Sequence, residues 1–260
     1  MSNDVSLFGG EMRIGKTGIF TYCHEYSHSA SKTTVKLIGT THLGERTYYR
    51  KIRQLLHDMS LILHEHLSID SKEQLTEDLV DLENDIRGNG QLIQRFISAL
   101  SLYFTATDLY FCNRFLMEAH AFQNETSSKK WISVRPESCA DLEKKLVKFC
   151  THIPEERQNK VVAHVKSALA LMKQKKYSAP EYGESFVFFW SDDQMRALFD
   201  KVLLPKVTGT CVEFFERSER KKPHTIGMKF GAAHIYALRK ALESRSFEHV
   251  RSQQLCAISF

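Results

Sequence analysis

Two short stretches of the chain share one layout. Leu37-Ile38-Gly39-Thr40-Thr41-His42-Leu43 and Lys229-Phe230-Gly231-Ala232-Ala233-His234-Ile235 each run from an apolar segment into a glycine, two small residues and a histidine. With 12 glycines and 12 histidines in 260 residues, roughly half a G-x-x-H is expected by chance from composition alone. The shared position says more than the count: each motif closes an expected strand and opens an expected helix. Ligands of open α/β sheets bind beyond the carboxyl ends of the strands. Glycine there lets the chain turn sharply and lets a second backbone or a ligand approach. A histidine projecting over such an edge can bind a metal or move a proton. A third group comes from Leu61-Ile62-Leu63-His64-Glu65-His66, an apolar run that breaks into a carboxylate at its end. His42, His234 and Glu65 are thus candidate catalytic residues and candidate metal ligands. Taken singly, each histidine could equally cap its helix or satisfy a buried carbonyl, and Glu65 could sit on the surface. His64 and His66 alternate away from Glu65 on a continuing strand and read as supporting residues.

These residues need elements to hold them. Gly18–Ser27 is aromatic and β-branched and reads as a strand; Thr33–Gly39 reads as a second, and the two can pair as a hairpin. Arg46–Met59 has helical spacing at Tyr49, Ile52, Leu55, Leu56 and Met59, and Ser60–Leu63 is a short buried strand. Residues 33–67 therefore spell strand–helix–strand. Helices are expected over Ser71–Ile86, within Gln91–Ala121 as two stretches, and over Pro136–His152, Pro154–Tyr177 and Asp192–Leu204. Phe186–Trp190 is a strand or an aromatic plug, and Gln123–Lys130 a polar loop. Strand Thr225–Gly231, helix His234–Ser244 and strand Leu255–Phe260 return the pattern to α/β. The expected fold is α/β: a largely parallel sheet built from residues 1–70 and 222–260, with residues 71–221 as an inserted, mainly helical cap that covers the site.

The segments "LIGTTHLG", "LILHEHL" and "FGAAHIYAL" together resemble the TraB/PrgY/GumN family, which includes the Tiki proteases. That family carries two G-x-x-H motifs and a strand-end glutamate after the first, and belongs with the erythromycin-esterase-like and ChaN-like folds. The resemblance covers roughly residues 20–70 and 222–260. It implies a metal-dependent hydrolase, peptidase-like, acting on a peptide or a small ester or amide. His42 and His234 match the motif histidines and Glu65 the glutamate. The implied cofactor is a divalent metal ion, manganese or cobalt, with zinc and iron compatible with two imidazoles and a carboxylate. Further acidic and arginine positions of the family would fall at Asp192–Arg196. Metal binding would lower the pKa of a bound water toward 7; Glu65, if not a ligand, would take its proton. The alternative class is a non-catalytic protein of this fold that binds a small ligand or a signalling partner.

Gly10, Gly15, Lys16 and Thr17 match the spacing of a phosphate-binding loop. Such a loop needs a strand before it and a helix beginning at Lys-Thr. Gly18-Ile19-Phe20-Thr21-Tyr22 favours a strand instead, so an NTPase ranks low and a hairpin lead-in is expected. His24 and His28 beside Cys23 suggest zinc, but no second cysteine pair supports it. The six cysteines form no C-x-x-C pair and read as reduced thiols of a cytoplasmic protein. No secretory signal and no run of about eighteen apolar residues is present, so no membrane span is expected. A net charge of +5, with Glu219 interrupting the basic run Arg217–Lys222, argues against a nucleic-acid partner.

Overall fold

A computed structural model of the chain describes residues 4–65, 72–88, 90–112, 117–118, 131–134, 147–198, 209, 212–213, 215 and 225–260. The chain divides into two compact units. One comprises residues 1–67, 116–137 and 204–260, the other residues 68–115 and 138–203.

The first unit is an α/β fold on one mixed, eight-stranded sheet. Its strands are β1 (Val5–Leu7), β2 (Met12–Gly15), β3 (Gly18–His28), β4 (Thr33–Thr40), β6 (Leu61–Glu65), β8 (Trp131–Val134), β9 (Thr225–Gly231) and β10 (Glu248–Ser259). The order is β1-β2-β3-β4-β9-β6-β8, with β10 on β3. Pairing is parallel from β4 through β9 and β6 to β8. It is antiparallel among β1, β2, β3, β4 and β10. The β3–β4 hairpin forms as expected. The strand–helix–strand unit differs from a simple neighbouring pair, because β9 lies between β4 and β6. Trp131–Val134, inside the segment expected to be helical, adds a strand to the sheet; its Trp-Ile-Ser-Val composition suits a pleated surface. A two-stranded ladder joins β5 (Leu43–Gly44) to β7 (Met117–Glu118).

Two helices clothe this sheet. In α1 (Arg46–Leu56), Tyr48, Tyr49, Ile52 and Leu56 form one buried stripe. The last helix, Ala232–Glu243, buries Ile235, Leu238 and Leu242 on Leu37, Met228 and Phe230. Leu56 approaches the opposite face, at Gly227. The strand expected at Leu255–Phe260 begins earlier, at Glu248. Its first half is polar and exposed, which fits a strand whose only ladder partner among the described residues is β3.

The second unit contains α2 (Lys72–Arg87), α3 (Leu92–Cys112), α4 (Glu155–Lys173), α5 (Ala179–Trp190) and α6 (Asp193–Leu198); the last helix of the chain is then α7. Within Gln91–Ala121, expected to hold two helical stretches, Leu92–Cys112 is one continuous helix, α3, and 113–116 and 119–121 lie outside the described residues. Phe186–Trp190 is the end of α5, which starts at a capping box of Ser178 and Glu181. Tyr103 and Phe111 of α3 pack on Phe189 and Tyr182 of α5. The Tyr103 hydroxyl lies 3.0 Å from that of Tyr177. No described helix is long and apolar enough to cross a membrane. Ser71, Gln123–Lys130, most of Pro136–His152 and Arg217–Lys222 lie outside the described residues.

Leu238 is 1% exposed in the α7–sheet core. Leu238→Ala removes buried methyl groups and leaves a cavity, a change that costs about 2–5 kcal/mol. Denaturant unfolding should show a loss in that range, whereas Tyr236→Ala, on the exposed side of α7, should cost less.

Candidate functional site

The parallel register brings three strand ends to one rim. Thr40 pairs with Gly231 across β4 and β9, and His64 pairs with Lys229 across β6 and β9. Glu65 is the next residue of β6. Its Oε2 accepts a 2.8 Å hydrogen bond from the Gly231 backbone N–H. Its Oε1 lies 3.5 Å from Nε2 of His234. Gly231 caps α7, and His234 sits in the first turn, 5% exposed. Residues 65 and 234, from opposite ends of the chain, therefore form one carboxylate–imidazole contact.

Both motif glycines stand at close approaches. A Cβ on Gly39 would lie 3.1 Å from Ile235 and 3.4 Å from the Ala232 backbone. A Cβ on Gly231 would sit 3.2 Å from Glu65 Oε2. The first motif is pinned from α1: the Tyr48 hydroxyl donates to Gly39 O (3.2 Å), and that of Tyr49 to Thr41 O (2.9 Å) and His42 O (3.2 Å). The Thr40 hydroxyl donates to Phe230 O at 3.1 Å, tying the two motif strands together.

The two motifs are not structural copies. His234 lies inside its helix, whereas His42 occupies a bend before β5, and α1 begins only at Arg46. The intervening Glu45 accepts from the Ser259 backbone N–H at 2.7 Å, so it fastens α1 to β10 instead of lining the rim. His42 is exposed, and its charge acts on Glu65. His64 turns back, with Nδ1 3.1 Å from its neighbour's carbonyl, Glu65 O. His66 lies outside the described residues.

Burial by itself would raise the Glu65 carboxyl. The hydrogen bond and charge of His234, the charge of His42 and the Gly231 N–H outweigh it and hold the group at about 2. Such a carboxylate stays ionised and is a weak proton acceptor near neutrality. It is therefore poorly suited to the expected role of base. Sequence reasoning missed Lys229, which is 1% exposed on β9. Burial pushes its ammonium down to about 8, and the charge of Glu65 opposes that fall. A lysine inside the otherwise apolar "TIGMKFG" was the available signal.

Two ligands about 2.1 Å from one tetrahedral ion are separated by about 3.4 Å. The 3.5 Å between Glu65 Oε1 and His234 Nε2 fits that spacing. Among the described residues no group of three His, Cys, Asp or Glu side chains is arranged to hold an ion. The donor set thus supplies two ligands, and His42 does not complete a closed set of three. Asp192–Arg196 is occupied within the helical unit: Asp192 accepts from the backbone of Gln194 and Met195 and faces Arg157, and Arg196 pairs with Asp193. Lys16 and Thr17 form the turn between antiparallel β2 and β3, so the helix a phosphate loop requires does not start there. His24 is bonded to Glu11 and Ser252, and His28 to Ser31.

No protein-family model matches this chain, and comparisons with curated proteins and with solved structures likewise find no match.

The depressed carboxyl of Glu65 fixes the sign of a pH effect. A group at about 2 when folded and 4.5 when free contributes stability that is fully present above 4.5 and is lost as pH falls through about 2. Glu65→Gln should therefore destabilise the protein at pH 7 more than at pH 2.5, by denaturant unfolding at each pH. An equal loss at both would mean that the carboxylate's charge contributes nothing to folding.

Proposed function

We propose that the chain is a metal-dependent hydrolase of peptide, amide or ester bonds, with Glu65 and His234 as its reacting pair. The single observation that supports this is their meeting at the carboxyl ends of parallel strands, with exposed His42 beside them. The 3.5 Å between Oε1 and Nε2 matches two ligands of one ion. A divalent ion would be held by those two atoms and would supply polarisation of a bound water.

The remaining roles belong to the chain. Glu65, fixed by the Gly231 N–H, stays negative and with Nε2 of His234 would hold the ion. His42, on the solvent side, takes a proton from the attacking water and passes it to the leaving nitrogen or oxygen. Lys229 contributes a buried positive charge behind Glu65. The resemblance of the two G-x-x-H motifs and the strand-end glutamate to the TraB/PrgY/GumN family supports the same reaction class. A cytoplasmic setting suits the free thiols of Cys23, Cys150 and Cys256.

The test combines metal analysis with turnover of a peptide library and p-nitrophenyl esters. His234→Ala should lose bound ion and, with it, turnover. His42→Ala should lower turnover by about 10²–10⁴-fold, the usual worth of acid–base catalysis, while retaining most of the ion. Unchanged ion content and unchanged turnover in both variants would remove the site. An ion-free protein that turns over neither substrate would leave ligand binding as its role.

A further inference from the structure

A second set of chemical groups lies elsewhere on the same sheet, on β3, β10 and the turn before β2. Ser252 Oγ is 2.7 Å from Nδ1 of His24, and Nε2 of His24 is 2.6 Å from Glu11 Oε2. Glu11 is 1% exposed and His24 5%, while Ser252 is exposed. The other oxygen of Glu11, Oε1, accepts from Arg239 Nη1 at 2.7 Å, and Arg239 Nε donates to the Tyr26 hydroxyl at 2.9 Å. Nε2 of His249 lies 2.9 Å from the same Ser252 Oγ.

The Glu11 carboxylate only accepts, so Nε2 of His24 carries a ring proton, and in the neutral ring Nδ1 is the acceptor. The Ser252 hydroxyl then donates to His24, and its oxygen accepts from His249. Serine, histidine and a buried carboxylate thus stand in the order used for nucleophilic acyl transfer, a constellation defined by geometry and roles rather than by sequence order. The ring is reversed, with the serine on Nδ1 and the carboxylate on Nε2.

The backbone is shaped for this meeting. His249 pairs with Tyr26, but Arg251 pairs with Glu25 and Ser252 with His24, so Val250 is an extra residue. A regular strand would send residues three apart to opposite faces. This bulge returns His249 and Ser252 to the face that carries His24 and Tyr26. Bulges re-aim side chains in this way beside active sites.

We propose that Ser252 is a nucleophile activated by His24 and Glu11, a second acyl-transfer site for activated carboxylic esters reaching the exposed side of β10. The bond from Oγ to the acyl carbon forms as the bond to the leaving alcohol breaks. The hydroxyl proton passes to Nδ1 of His24 and from there to the leaving oxygen. Water then repeats the sequence, releasing the acid and restoring Ser252. No metal ion takes part, which separates this site from the Glu65–His234 centre.

The full chain is incubated near neutral pH, in EDTA, with a fluorophosphonate probe, and the adduct is mapped by mass spectrometry. One adduct on Ser252 is expected, absent in Ser252→Ala and formed roughly 100-fold more slowly in His24→Gln. Since His24 is buried and its replacement could unfold the chain, Ser252→Cys provides a second reading. Its new thiol should react with iodoacetamide at least about tenfold faster than glutathione, because an adjacent base raises thiolate content. Absence of an adduct, an adduct on another residue, an undiminished rate in folded His24→Gln, or alkylation at the glutathione rate would each overturn the proposal.

Discussion

The parallel docking of Thr33–Thr40 and Leu61–Glu65 onto the two sides of Thr225–Gly231 is the constraint from which the rim follows. Parallel pairing sends all three carboxyl ends the same way, so whatever each strand carries at its end is delivered to one place. Two strands come from the first quarter of the chain and the third from the last. No local segment could assemble the Glu65–His234 contact; it exists only when the long-range ladder has formed. The Gly231 N–H illustrates the economy of this arrangement: a helix leaves its first N–H groups without intrahelical partners, and here the capping residue's own N–H goes to the carboxylate.

Keeping Glu65 ionised in a largely buried setting requires more than that one bond. Burial disfavours both the carboxylate and the Lys229 ammonium. Each lowers the other's cost, and the imidazoles add to the positive side of the balance. A neutral residue in place of Lys229 would leave the carboxylate leaning harder on His234, and removing Glu65 would leave a buried ammonium facing a weaker partner. The strand interior and the rim are therefore electrically coupled even though Lys229 itself is shut off from solvent.

Much of the rim was legible because its signals are local. An apolar run that ends in Gly-x-x-His announces a strand, a turn and a projecting imidazole, and "LILHE" announces a carboxylate at a strand end. The β3–β4 hairpin and the apolar stripes of α1 and α7 were readable from periodicity for the same reason. What escaped was non-local or polar. The insertion of β9 between β4 and β6 is decided by pairing across more than a hundred residues, which periodicity does not encode. The polar half of β10, "EHVRSQQ", lacks alternation because little of it is buried. The capping box at Ser178 and Glu181 was present in the sequence and would have settled Phe186–Trp190 as helix. Lys229 was hidden because a single lysine within an apolar strand ordinarily faces water.

Helix α7 links the two polar clusters of the sheet unit. His234 meets Glu65 in its first turn, and Arg239 meets Glu11 and Tyr26 five residues later. At about 100° per residue those side chains leave the helix about 140° apart, while Ile235, Leu238 and Leu242 fill the apolar side against the sheet. A rotation of α7 about its axis would thus lift His234 from one carboxylate and Arg239 from the other together. The apolar stripe sets that angle, because interiors packed to crystal-like density resist such rotation. The same burial that stabilises the fold therefore sets the distances within both clusters, and neither can be loosened without disturbing the core they share.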